Sequence, residues 1–439
     1  MLDIRFIKQN KEKVKKAALL KKIDLNIDLL LELNDNRADL LEKVERLKAE
    51  RNENANVMRK LRKGDLSKKK GLVEKGKRIK ERLKGLEERF RDVDKKFKEI
   101  MLTVPNLPSE DTPIGKGEED NTEVKRWGEI PKFDFPYKNH IEIGRELDIL
   151  DLETGVKVSG FRGYYLKNDA VLLHFAVLWY ALNKLIKKGF APLLPPTIVN
   201  EFVLIGSGHF PFGKEDIYQI ANPGKLESGK RIDTPTYLAG TAEPSLLAFY
   251  SNKVLKEKNL PIKICGLSQC YRSEVGSYGK DIKGLFRIHE FMKVEQVVIC
   301  KADIEESNKW LEEMRNISEE LLRDLNLPYR VLNVCTAEMG AGKYKMYDIE
   351  TWMPSRGSYG ETHSDSNLTD WQTRRLNIKY LTGGGKKEYA FALNNTAIAS
   401  PRILIAIMEN YQQRDGSIKI PEVLRPYLNN KSTITKSNN

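Results

Sequence analysis

From Leu30 the apolar side chains return at alternating spacings of three and four: Leu30, Leu33, Leu40, Val44 and Leu47, then Met58 and Leu61. Polar Arg51 and Asn54 hold the same register between them. After Lys63-Gly64-Asp65 the rhythm resumes at Leu72 and runs through Ile79, Leu83, Leu86, Phe90, Val93, Phe97 and Ile100. A stripe of that period is buried only when a second helix covers it. With Gly64 to Gly71 read as the turn, the two segments are expected to fold back as an antiparallel hairpin over about residues 28–103. At 1.5 Å per residue, roughly 33 residues make an arm about 50 Å long. The seam turns polar at Arg51 to Asn54, and Gly76 weakens the facing helix, so the outer half is expected to be less rigid than the base.

The same stretch carries the charge. The chain is +13 overall, and residues 1–100, with 31 Lys/Arg and 19 Asp/Glu, account for +12 of it. Residues 51–100 alone hold 19 basic and 9 acidic side chains. The tip gathers Arg59, Lys60, Arg62, Lys63, Lys68, Lys69 and Lys70, with Lys77 and Arg78 behind them. A local basic stripe fits a polyanionic partner. A solvated helix face rich in lysine is the alternative on charge alone.

Other classes are disfavoured. The longest nearly apolar run, Ala170 to Leu182, is interrupted by His174 and is too short to span a bilayer, so no membrane partner is expected. The first residues show no apolar stretch before a cleavage site. Cys265, Cys270, Cys300 and Cys335 form no C-x-x-C pair, so neither zinc nor a disulfide framework is expected, and reduced thiols in a cytoplasmic protein are the plain reading. No P-loop and no G-x-G-x-x-G fingerprint is present.

Val104-Pro105-Asn106-Leu107-Pro108 closes a first domain over 1–108. Residues 109–139, opening on a Gly-, Pro- and acid-rich stretch, read as a linker. From 140 to 428, short β-like runs such as Ile262 to Leu267 and Val294 to Cys300 alternate with helical stretches such as Ala302 to Leu325. They lack regular βαβ spacing, which predicts an α+β domain with an antiparallel sheet flanked by helices. The polar tail, 429–439, is expected to be disordered.

Four polar segments sit among these strands. Thr241-Ala242-Glu243-Pro244 opens an apolar helix and reads as a cap or as a site. Arg272 and Glu274 lie two apart on a strand leading into a Gly-rich loop from Gly276 to Gly279, and Lys293-Val294-Glu295 lies on the returning strand. An Arg there can grip phosphate or carboxylate, or close a surface ion pair. Glu361 and Ser364 are three apart and could offer oxygens to Mg²⁺, or form an ordinary polar turn. Arg402 falls in the first turn of a helix, where the dipole disfavours a cation unless an anion is near.

Taken together, these segments resemble the seryl-tRNA synthetase family of class II aminoacyl-tRNA synthetases. Leu172 to Asn200 is similar to class II motif 1, Arg272 to Glu295 to motif 2, Leu393 to Asn410 to motif 3, and Thr241-Ala242-Glu243 to the family's serine loop. The resemblance implies a homodimer that activates L-serine with ATP and Mg²⁺ and loads it onto tRNA(Ser), gripping the long variable arm with the basic hairpin. It implies that Arg272, Glu295 and Arg402 are catalytic, and that Thr241, Glu243, Arg272, Glu295, Asn394 and Thr396 surround serine. It implies that Arg272, Glu274, Arg287, Ile288, Phe291, Glu361, Thr362, His363, Ser364 and Arg402 hold ATP, with the adenine between Phe291 and Arg402, and that Glu361 and Ser364 ligate Mg²⁺. A non-catalytic tRNA-binding paralogue of the same fold is the alternative. His363, Asp365 and Asn395-Thr396 depart from the family's usual residues.

Overall fold

The computed structural model describes residues 1–61, 65–222, 224–225, 227–232, 234–275 and 283–436. They form two compact units, one of residues 3–19 and 23–104, the other of residues 1–2, 20–22 and 105–439.

The smaller unit holds two short helices, Ile4–Gln9 and Lys11–Leu20, and the two long ones, α1 (Ile27–Lys60) and α2 (Leu66–Thr103). Asn26 caps α1 by accepting from Leu29 N at 3.0 Å. Leu40, Val44 and Leu47 of α1 are buried, as are Ile79 and Leu83 of α2. Near the base, Arg37 packs its guanidinium over Phe90 and Phe97 and bonds Asp94 at 2.5 Å. Seven-residue bookkeeping thus located the hairpin. The turn is shorter than Gly64 to Gly71, because α2 begins at Leu66 and takes Ser67 to Gly71 into helix. The lysine run favours helix, and Gly71 has open space around it, so nothing opposes the extra turn. Arg59, Lys60, Lys68, Lys69, Lys70, Lys77 and Arg78 are exposed, while Arg62 and Lys63 lie outside the described residues.

In the larger unit eight strands form one sheet: β1 (Thr122–Trp127), β2 (Ala191–Leu193), β3 (Ile262–Tyr271), β4 (Glu290–Cys300), β5 (Tyr329–Asn333), β6 (Lys345–Met353), β7 (Ser358–Asn367) and β8 (Phe391–Ser400). Their order is β1-β5-β6-β7-β8-β4-β3-β2, antiparallel except for the parallel β2–β3 pair. Four helices matter for the site: α3 (Asp169–Lys187), α4 (Glu243–Ala248), α5 (Ile304–Asp324) and α6 (Arg402–Asn410). Leu173 and Val177 of α3, Met314 and Leu321 of α5, and Ile403 and Ile407 of α6 share one core with Val294, Val298 and Leu393 of the sheet. By length and composition α3 is apolar enough to cross a membrane, yet half of it is buried on the sheet.

Three boundaries differ from expectation. The stretch 109–139 is not only linker, since β1 lies in it and edges the sheet. Its Glu, Lys and Arg side chains, which suit an exposed edge strand, hide it from a hydrophobic pattern search. Pro105 to Pro108 belong with the larger unit, where buried Asn106 donates to Gly342 O, Leu368 O and Thr369 Oγ1. The tail is ordered through Thr433–Ile434, which pairs with Ile418–Lys419 and buries Ile434 fully.

Asn54 is the one buried polar side chain on the seam among the described residues of the arm. Its Nδ2 donates to Leu72 O at 3.0 Å, and a Cβ on Gly76 would come within 3.2 Å of that nitrogen. Removing such a bond costs on the order of 1 kcal/mol. Asn54→Ala is therefore expected to speed amide hydrogen exchange in residues 51–80 about fivefold, leaving residues 27–45 unchanged. Equal rates in both segments would show that Asn54 does not pin the outer arm.

Candidate active site

Strands β7 and β8 pair only at Asp365–Asn395, Ser366–Asn394 and Asn367–Leu393. Beyond Asp365 they diverge, and a cleft with about 510 Å³ of empty space opens along their separated ends. Arg272, Glu274, Ile288, Phe291, Glu361, Thr362, His363, Ser364, Thr396 and Arg402 line it. Ten of the residues singled out in the sequence thus meet in one cavity, although their segments lie far apart in the chain.

Arg402 is the first residue of α6, following Pro401. Its Nη1 donates to Glu361 O at 2.9 Å and lies 3.5 Å from Glu361 Oε2, and its Nε donates to Phe286 O at 3.2 Å. The guanidinium rests on the Phe286 ring at 4.3 Å, and Arg356 covers the same ring at 4.3 Å. Burial lowers the Arg402 pKa, Glu361 opposes that, and Arg272 and Arg287 add to it. Three guanidiniums therefore share one electrostatic environment. Arg272 lies over Phe291 at 5.3 Å, and its Nε donates to Gly240 O at 3.4 Å. Phe286 is thus the ring under Arg402, and Phe291 the ring under Arg272. Glu274 holds a left-handed backbone, φ 54°, and its Oε2 meets Arg287 at 3.3 Å and buried Arg162 at 3.7 Å.

Deeper in, Glu295 and Lys293 stand two apart on β4 and form a buried ion pair. Lys293 Nζ also donates to Thr396 Oγ1 at 3.2 Å, and Thr396, opposite Glu295 in the register, donates to Glu295 Oε2 at 3.5 Å. Burial raises the Glu295 carboxyl, Lys293 pulls it back, and the nearby Glu243 charge raises it again. Glu243, buried at the start of α4, accepts from Gln372 Nε2 at 2.5 Å. Of the two readings of Thr241, the cap is not met: Ala242 is the N-cap, and the Thr241 hydroxyl accepts from Glu243 N at 3.4 Å. Asn394 is buried on β8, two residues before Thr396.

On the far wall Asp348 lies opposite Ser364, and Glu350 opposite Glu361. Asp348 is raised well above the carboxylate range by burial and by Glu361, against a bond from Ser364, and its Oδ1 has no partner among the described residues. Among those residues no three His, Cys, Asp or Glu side chains form a complete metal cage. Glu361, Ser364 and the orphaned Asp348 oxygen suit a divalent cation that keeps water and phosphate ligands. Burial lowers His363 to about 3, and its Nδ1 is 2.8 Å from Thr362 Oγ1. Asp365 stays out of the cleft, fully buried beside Asn395, with burial pushing it well above its usual range.

Arg356, Arg162 and Gln372 contribute without any sequence cue, while Phe286 and Lys293, in the segment from Arg272 to Glu295, and Asp348, in the polar run Tyr347 to Glu350, carry no individual role in the sequence reading. Lys293 is two residues from Glu295 on one strand, a signal that was available. Asp348 faces Ser364 across the β6–β7 pairing, and Phe286, Arg356, Arg162 and Gln372 arrive from segments outside the eight-stranded sheet, with no local signature.

The architecture and cleft define a class II aminoacyl-tRNA synthetase core. Residues 225–411 match the tRNA synthetase class II core domain for G, H, P, S and T, and residues 1–108 match the seryl-tRNA synthetase N-terminal domain. The serine–tRNA ligase of Deinococcus radiodurans is 44% identical over 438 residues, 99% of each chain. The crystal structure of seryl-tRNA synthetase from Pyrococcus horikoshii complexed with ATP gives a TM-score of 0.84 at 37% identity, covering 100% of both chains. The cytoplasmic serine-tRNA ligase from Naegleria fowleri in complex with AMP gives 0.83 at 31%, covering 100% of this chain and 99% of that one. This chain belongs to the seryl-tRNA synthetase family.

His174, on α3, backs the cleft by meeting Ser400 Oγ at 2.8 Å, and burial lowers it to about 4. Its folded pKa lies below the unfolded value near 6.5, so the unfolded chain binds the extra proton and stability is lost as pH falls from about 6.5 towards 4. Between pH 7 and 5 this is on the order of 2 kcal/mol at 1.4 kcal/mol per pH unit. Urea unfolding of His174→Gln is expected to lose less stability over that interval than the wild type. Parallel losses would mean His174 titrates normally.

Proposed function

We propose that the cleft binds ATP beside L-serine, forms seryl-adenylate with release of pyrophosphate, and passes the seryl group to the terminal adenosine of tRNA(Ser). The observation that carries this reading is the meeting of Arg272 and Arg402 in the lining of one cavity, with Arg287 close enough to act electrostatically on Arg402, an arrangement suited to a polyphosphate. The ATP of the Pyrococcus relative and the AMP of the Naegleria relative support it. The non-catalytic alternative is disfavoured, because Arg272, Glu295 and Arg402 are all present and catalytic relatives match end to end.

The serine carboxylate attacks the α-phosphorus in line. Arg272, between the serine and nucleotide ends, steadies both anions, and Arg287 takes the γ-phosphate. Glu274 meets the adenine edge, Phe291 and Arg402 flank the ring, and Ile288, Thr362 and His363 fill out the wall. Glu361 and Ser364 would hold Mg²⁺, which would supply positive charge beside the phosphates. Positioning and directed positive charge do the work, without a covalent enzyme intermediate. Glu243, Thr241 and Asn394 enclose serine, and Glu295 with Thr396 reads its hydroxyl and amine. Alanine is rejected because it would leave the buried Glu295 group without that hydroxyl. We also propose a cytoplasmic homodimer, supported by the exposed Leu172, Phe175, Trp179 and Ile186 along α3.

Pyrophosphate–ATP exchange tested across the amino acids is expected to depend on serine, and Arg272→Ala is expected to lower it at least 100-fold with circular dichroism unchanged. Preference for another amino acid, or near-wild-type exchange in the variant, would contradict the reading.

The basic tip of the arm is proposed to hold tRNA phosphates, with Arg59, Lys60, Arg62, Lys63, Lys68, Lys69, Lys70, Lys77 and Arg78 contributing. Replacing Lys68, Lys69 and Lys70 by Ala is expected to raise the tRNA KM about tenfold and flatten its salt dependence, leaving serine exchange intact. An unchanged salt slope would remove these lysines from the interface.

A further inference from the structure

His140 begins a short helix, His140–Glu146, capped by Asn139, and it is buried away from the cleft. Its Nδ1 lies 2.9 Å from Glu409 Oε1, and its Nε2 accepts the backbone N–H of Leu285 at 3.2 Å. Glu409 is fully buried and also accepts from His140 N at 3.0 Å, Ser355 N at 3.0 Å and Ser355 Oγ at 2.8 Å. Burial alone would raise its carboxyl, but the bonds from His140 and Ser355 hold it below the usual range. A carboxylate only accepts, so the hydrogen of a neutral imidazole sits on Nδ1 and leaves the Nε2 lone pair for Leu285.

The two ends of this imidazole reach the two segments that carry Arg402 and Arg287. Glu409 lies seven residues after Arg402 in α6, two turns on. Leu285 directly precedes Phe286, the ring on which Arg402 rests, and Arg287, the partner of Glu274. Leu285 also packs with Ile405 of α6 in one small core. Gly284 brings the chain close to the same imidazole. Its φ is +86°, and a Cβ there would lie 2.3 Å from His140 Nε2. The chain can approach the imidazole this closely only without a side chain at 284.

We infer that His140 is a positioning residue of the nucleotide site, fixing Leu285 to α6 through Glu409 so that Phe286 and Arg287 are held in register with Arg402. It touches no reacting atom. The inference rests on the reading that the cleft binds ATP, which wild-type exchange tests separately.

Three variants separate the parts of the contact. His140→Gln keeps an acceptor near the Nε2 position. His140→Asn keeps a donor near Nδ1 for Glu409 but leaves Leu285 N–H without its acceptor. His140→Phe removes both. In serine-dependent exchange the ATP KM is expected to rise about tenfold in His140→Asn and at least that in His140→Phe. His140→Gln is expected to stay within about threefold of wild type, and the serine KM to change less than twofold in His140→Asn. Circular dichroism and the melting temperature establish that each variant is folded, and if His140→Asn is not, the ratio between His140→Gln and His140→Phe carries the test. An unchanged ATP KM in His140→Asn would overturn the inference. So would equal rises in both KM values, or a His140→Gln no better than His140→Phe.

Discussion

The short pairing of β7 with β8 is the constraint on which the rest of the larger unit depends. Three residue pairs hold the strands together, and then they part. A sheet continuous at this point would have filled the space with ladder hydrogen bonds and alternating side chains. Because the strands separate, Glu361 to Ser364 form one wall and Thr396 to Arg402 the other, with a cavity between. The proposed chemistry draws on polar groups along that opening: Glu361, Ser364, Thr396 and the orphaned oxygen of Asp348.

Charge is arranged in depth around that opening. Guanidiniums lie towards the mouth, two of them pressed on phenylalanine rings that fix their direction. The Lys293–Glu295 pair lies deeper, in a dry setting where a carboxylate survives only with a partner. A nucleotide with a small hydroxylated amino acid beyond it matches both the order and the sign. Residues 1–100 carry +12 of the chain's net charge of +13. The proposed catalysis and the proposed tRNA capture thereby draw on separate parts of the chain.

Much of this was legible in the sequence because the cues were local. A three-four repeat broken by a glycine turn announces a helical hairpin, and Arg402 in a first helical turn asks for an anion. Other parts had no local cue. Strand β1 is written in charged residues because it is an edge, and the tail is held by a two-residue strand pairing with one buried apolar side chain, Ile434. Phe286 reads as an ordinary aliphatic-aromatic position until its ring is found under Arg402. His140 is one imidazole in a capped helix, 145 residues from the backbone amide that it holds. Such roles depend on which distant strand or helix arrives alongside, and no window of sequence contains that information.

The most direct test of the central claim is a crystal structure of the enzyme with ATP, Mg²⁺ and a non-reactive serine analogue. The expected result has the adenine between Phe291 and Arg402, phosphates against Arg272 and Arg287, and the serine hydroxyl within hydrogen-bond distance of Glu295. ATP bound away from the β7–β8 opening, or a serine analogue remote from Glu295, would contradict it.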